Sequence, residues 1–155
     1  MGADANKTPV EKAALLRFLD AAQIPIDRKT IVKPSGEKMP DFVGRTLNGQ
    51  YAAFEVTEIC DGSLPRLQDQ AARCKQQFAF ANPDAAEEIV RNKMHKSYST
   101  QIPVSLVCYW ADRIVSTDEE ILEGIRRAVY SVSKIPFERV WHHGRESLYL
   151  VYETP

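Results

Sequence analysis

A chain of 155 residues with 44% hydrophobic content can bury one substantial core and is too short for two ordinary domains, so a single domain over 1–155 is expected. Lysine plus arginine (20) nearly balance aspartate plus glutamate (21), which excludes a global field drawing the molecule onto nucleic acid or an anionic surface; any such binding must rest on a local patch. No apolar run approaches the roughly 20 residues of a membrane helix, segment 1–10 lacks the apolar core of a signal peptide, and Asn6 stands where a myristoylation motif needs Ser or Thr. Cys60, Cys74 and Cys108 are scattered, fit a reduced, cytoplasmic setting, and read as small core residues.

In chain order, Thr8-Pro9-Val10-Glu11 predicts a helix start, with Thr8 as N-cap, Pro9 at the first helical position and Glu11 closing a capping box. Val10, Ala14, Leu15, Phe18, Leu19 and Ala22 give this helix an apolar face to about residue 22. The β-branched run Thr30-Ile31-Val32 predicts a short strand, and Pro34-Ser35-Gly36-Glu37 a turn. Asn48-Gly49 marks a hairpin between a strand over 41–45 and one over 51–59. Alternation along the second puts Ala53, Glu55 and Thr57 on one face, with Phe54, Val56 and Glu58 on the other. A carboxylate such as Glu55 among apolar neighbours needs a cation, a hydrogen-bond network or a metal.

Two helical segments follow. In the first, Leu67, Ala71, Cys74 and Phe78 form one stripe. The second opens at Asn82-Pro83-Asp84, carries Glu87 and Glu88 early, and ends on Arg91, Lys93, His95 and Lys96, a charge order that suits the helix dipole. Residues 104–110 (VSLVCYW) are nearly continuous apolar sequence, as expected of a strand covered on both faces. Thr117-Asp118-Glu119-Glu120 is a second capping box, opening a helix with core residues Ile121, Leu122, Ile125, Ala128, Val129 and Val132, ended by Pro136. Segments 139–142 and 147–152 predict a closing hairpin. There is no internal repeat or low-complexity tract.

Helix, antiparallel strands bearing Pro40-Asp41 and Glu55-Val56-Thr57, then helices and a strand: this order over Val10–Trp110 resembles the PD-(D/E)xK nuclease superfamily. The resemblance implies an α/β fold, a mixed sheet flanked by helices with a restriction-endonuclease-like core (α-β-β-β-α-α-β), elaborated by a C-terminal helix and hairpin over 117–153. It further implies a metal-dependent nuclease or phosphodiesterase. Asp41 and Glu55, with the Val56 backbone carbonyl, would hold Mg²⁺ or Mn²⁺, and the partner would be DNA or RNA. A homodimer is compatible with the family, and a membrane is not implied.

The family carries a lysine two residues after the glutamate, where this chain has Thr57. Loss of one charged stabiliser costs on the order of 10²-fold or more in rate. Some members carry that lysine on the neighbouring helix, and Lys93 or Lys96 stands where such a residue would be sought; Lys93, four residues after core-facing Ile89, is the preferred one. The alternative is a catalytically silent nuclease-fold protein that binds nucleic acid or protein. In it, Asp41 and Glu55 would be satisfied by backbone amides or nearby cations. Other constellations are poorer: His142 and His143 face opposite sides of a strand, His95 belongs to a basic helix end, Tyr98 and Tyr109 could stack on bases although Tyr109 reads as core, and no Gly-rich phosphate loop or zinc-finger spacing occurs.

Overall fold

The computed structural model describes residues 2–60, 84–110 and 116–155, with side chains over 7–60, 85–110 and 116–155. Helix α1 spans Gly2–Ala22 and is followed by strands β1 (Ile26–Val32), β2 (Phe42–Thr46) and β3 (Tyr51–Ile59). Helix α2 (Asp84–Met94), strand β4 (Val104–Trp110), helix α3 (Asp118–Val129) and strands β5 (Arg139–His143) and β6 (Leu148–Glu153) complete the described chain. The six strands form one mixed sheet in sequence order, β1 to β6. β3, β4 and β5 run parallel to one another, while β1–β2–β3 and β5–β6 pair antiparallel.

Parallel neighbours need a crossover, and α2 and α3 lie within those two connections. These helices pack together on one face of the sheet, around Ala86, Val90, Leu106, Ile121, Ile125 and Val140. α1 covers the other face, where Leu15 and Phe18 meet Phe42, Phe54, Val56 and Val107. The fold class is therefore a mixed α/β layer structure, as the apolar patterning predicts. β4 lies in mid-sheet, and its residues from Val104 to Tyr109 are all buried, the burden of a strand covered on both sides. The alternation along β3 holds: Ala53 packs with the α2/α3 layer and Phe54 and Val56 with the α1 layer.

Several boundaries differ from the sequence expectation, among them the end of α2 at Met94, which leaves His95 and Lys96 beyond the helix. Helix α1 starts at Gly2 and contains Pro9, so Thr8 is not its N-cap; the Thr8 hydroxyl accepts a bond from Lys33 Nζ at 3.3 Å. Glu11 faces Lys7 one turn earlier, at 3.5 Å, instead of closing a capping box. β1 begins at Ile26, ahead of the β-branched run, because its first residues pair with Arg45 and Thr46 of β2 across an irregular register. β2 begins at Phe42, one residue after Asp41. α3 ends at Val129 with Tyr130 as C-cap, so Val132 and Pro136 lie beyond it. The Thr117 capping box is present in full. The stripe Leu67, Ala71, Cys74 and Phe78 lies outside the described residues.

Candidate active site

The β2–β3 hairpin brings Asp41 to Glu55. Its register pairs Phe42 with Phe54, and extended by one step it sets Asp41 opposite Glu55. The ladder stops there, and the freed Val56 amide donates to Asp41 Oδ2 at 2.9 Å. A strand residue's N–H and C=O leave on the same side, so the Val56 carbonyl also faces the end of β2. Pro40 is next in that register and has no N–H to offer. Pro-Asp thus does two things: proline withholds a donor from Val56, and aspartate takes the place of a strand carbonyl.

Glu55 is 1% exposed on the face covered by α2. Its Oε1 accepts from Lys93 Nζ at 2.9 Å and from Lys96 Nζ at 2.6 Å. Both lysines named from the sequence therefore converge on one carboxylate. Burial pushes the Glu55 carboxyl up, but the two ammonium groups outweigh it and hold the group below the usual carboxylate range. For Lys96, burial acts against the charge while the hydrogen bond and charge of Glu55 act for it; the net direction is up. Lys96 thus stays a cation at neutral pH and suits binding of negative charge, not proton abstraction. The other Glu55 oxygen, Oε2, is buried without a hydrogen-bond partner among the described residues, an arrangement that native interiors rarely leave unexplained.

Two further side chains belong to this cluster. Tyr98, on the connection from α2 to β4, is driven toward the neutral phenol by burial, then by the charge of Glu55 and the contact of its hydroxyl with the Glu55 carboxylate, and then by the charge of Asp41. Its hydroxyl, like Glu55 Oε2, has no partner of hydrogen-bond geometry among the described residues. Glu11 of α1 is 6% exposed, and burial followed by the Asp41 charge raises its pKa. Sequence reading missed Glu11 because a capping box explained it completely; the signal was an acid one turn before Leu15 on a helix whose apolar face packs on the sheet. The sequence names Tyr98 as a residue that could stack on bases, but nothing there places it beside Glu55.

The remaining candidates lie elsewhere or stay structural. Thr57, on the Glu55 face, is buried. His142 is fully buried, with Nε2 3.7 Å from Asp118 Oδ1, while His143 is partly exposed. Burial first, then the neighbouring His143, lowers the His142 pKa against the pull of Asp118. Tyr109 is core, and burial pushes the Cys108 thiol up to about 12, which leaves it inert at neutral pH. His95 is exposed. Among the described residues no three His, Cys, Asp or Glu side chains group closely enough to hold a metal, and no helix is long and apolar enough to cross a membrane.

No known protein family, curated protein or solved structure matches this chain.

Proposed function

We propose that the chain is a divalent-metal-dependent phosphodiesterase built on a restriction-endonuclease-like core, with nucleic acid as substrate. One observation carries the reading: two strand-borne acids, Asp41 and Glu55, stand at the point where β2 and β3 part, with Lys93 and Lys96 on Glu55. The strand order β1–β2–β3–β4, antiparallel to β3 and then parallel, supports the same core. A hard cation such as Mg²⁺ needs only one or two protein carboxylates, the rest of its shell being water and substrate oxygen. Asp41, Glu55 and the Val56 carbonyl are a donor set of that chemistry. When bound, the cation supplies Lewis-acid activation of the phosphate and a more acidic water.

The chain's own part is positioning and charge. Asp41 is held by the Val56 amide, and Glu55 is kept ionised by its lysines. Lys93, the less exposed of the two, holds the Glu55 carboxylate in place. Lys96, nearly half exposed, can pivot from Glu55 to a phosphate oxygen, supplying the charge that Thr57 lacks. Preorganised cations of this kind act where negative charge develops in the transition state.

A second reading has its own observation. Asp41 already accepts a backbone amide and Glu55 already has two cations, so both acids could be wholly structural in a silent binding protein. The readings separate in a cleavage assay with Mg²⁺ or Mn²⁺ on single- and double-stranded DNA and RNA. The enzyme reading expects metal-dependent cleavage, lost in Asp41→Ala and reduced on the order of 10²-fold in Lys96→Ala. Absence of cleavage of every substrate by the wild type overturns it, and equal activity in Lys93→Ala, Lys96→Ala and wild type removes the displaced-lysine assignment.

A further inference from the structure

A cavity of about 540 Å³ lies beside the acid pair, between the 94–104 connection and the 134–138 segment that leads into β5. It shares Lys96 and Tyr98 with the site. Lys96 lines the cavity and spends its ammonium on Glu55; Tyr98 lines it with a ring packed on Phe137, centroids 5.8 Å apart. The wall is also tied to the strand end that carries Asp41, because the Ser99 amide donates to the Lys38 carbonyl at 2.7 Å. Lys96 and Tyr98 therefore belong both to the wall of the cavity and to the surroundings of Glu55.

The lining is of mixed chemistry. Tyr98 and Ile102 offer flat or apolar surface, with the buried Phe137 ring behind Tyr98, while Gln101, Glu138 and Thr154 offer donors and acceptors. That combination suits a planar heterocycle with polar edges, and the volume is of the size that takes a small organic ligand. A base inside a duplex cannot enter such a pocket without leaving its stack, whereas a base in a single strand is free to turn in.

We infer that this cavity is a subsite for one unpaired nucleobase of the strand whose phosphate lies at Asp41 and Glu55, with Lys96 contacting that phosphate. The inference rests on the phosphodiesterase reading for the nature of its occupant, and it makes that enzyme specific for single-stranded or locally unpaired nucleic acid. Binding is non-covalent and requires no chemistry at the base.

The test separates this inference from the reading beneath it. Binding of a short single-stranded oligonucleotide to the Asp41→Ala protein, which cannot cut, is compared with binding of the same strand carrying an abasic position next to the central phosphate. A Gln101→Trp variant of that protein, in which an exposed side chain is enlarged into the cavity, is measured in parallel, with thermal melting to confirm its fold. The expected result is at least ten-fold weaker binding of the abasic strand at the matching position, and the same loss for the intact strand on Gln101→Trp. Equal affinity for intact and abasic strands at every position overturns the subsite, even if the wild type cleaves; a ten-fold abasic penalty in a wild type that never cleaves keeps the subsite and removes the enzyme. Should Gln101→Trp melt at a much lower temperature, Thr154→Trp and the abasic series decide the matter in its place.

Discussion

Glu11 shows how an acid near a second acid costs stability in order to stay where it is. Its pKa is raised by burial and then by Asp41. A carboxyl with a raised native pKa contributes its stability fully below the ordinary value of 4.5 and loses it as pH rises through the native value. At neutral pH the ionised group is therefore a net burden, and Glu11→Gln should stabilise the protein by on the order of 1 kcal/mol. The gain should shrink as the pH falls toward 4.5, which denaturation at several pH values will show. His142 carries the opposite sign relation. Its native pKa is depressed by burial, so the stability tied to the neutral ring is complete above 6.5 and falls as pH drops below it. His142→Phe, which keeps a ring over Tyr149, should flatten that acid-side slope, which cannot exceed about 1.4 kcal/mol per pH unit for one proton. An unchanged slope would assign the acid lability to other groups.

At the level of elements, the attachment of α1 to the sheet rests on few large side chains. Phe18 is fully buried, with its ring against Trp141 at 5.4 Å and Phe54 at 6.4 Å, both edge-on. Phe18→Ala should cost about 3–5 kcal/mol in chemical denaturation. Because α1 also carries Glu11, the same change should disturb the acid cluster. Strands β2 to β6 and helices α2 and α3 were largely legible from the sequence, for physical reasons: Asn48-Gly49 fixes a turn, Thr117 and Glu120 cap a helix reciprocally, and a strand buried on both faces reads as a continuous apolar run. The start of α1 was not legible, since Thr8-Pro9-Val10-Glu11 satisfies local rules for an N-terminus while the helix continues through it. Local pattern records what a residue could do; within the continuing helix Glu11 pairs with Lys7 one turn earlier, and Thr8 accepts from Lys33 of a distant segment.

For the molecule as a whole, near-neutral charge and a two-faced core leave function to a small region where strand register, helix end and loop meet. Asp41 and Glu55 were readable because hairpin register is a short-range property, and Lys93 and Lys96 because the family resemblance directs the search for a displaced lysine to that stretch. Their junction with Tyr98 and the cavity was not, since it depends on how the 94–104 connection folds back beneath β4. Lys93, in the last turn of α2, and Lys96, two residues beyond its end, are distant in sequence from Glu55 yet meet the same oxygen. If they serve an ionised Glu55 that holds a cation, removing Lys96 should lower turnover more than it lowers the melting temperature. In a purely structural ion pair, the loss of stability would dominate.

The most direct test of the central claim is the melting temperature of the wild type, Asp41→Ala and Glu55→Gln with and without Mg²⁺ or Mn²⁺. A ligand that binds only the folded state stabilises it by about 2.7 kcal/mol when present at a hundred times its dissociation constant. A metal-dependent rise is expected for the wild type and none for either variant. A wild type indifferent to both metals, or variants that respond as it does, would contradict it.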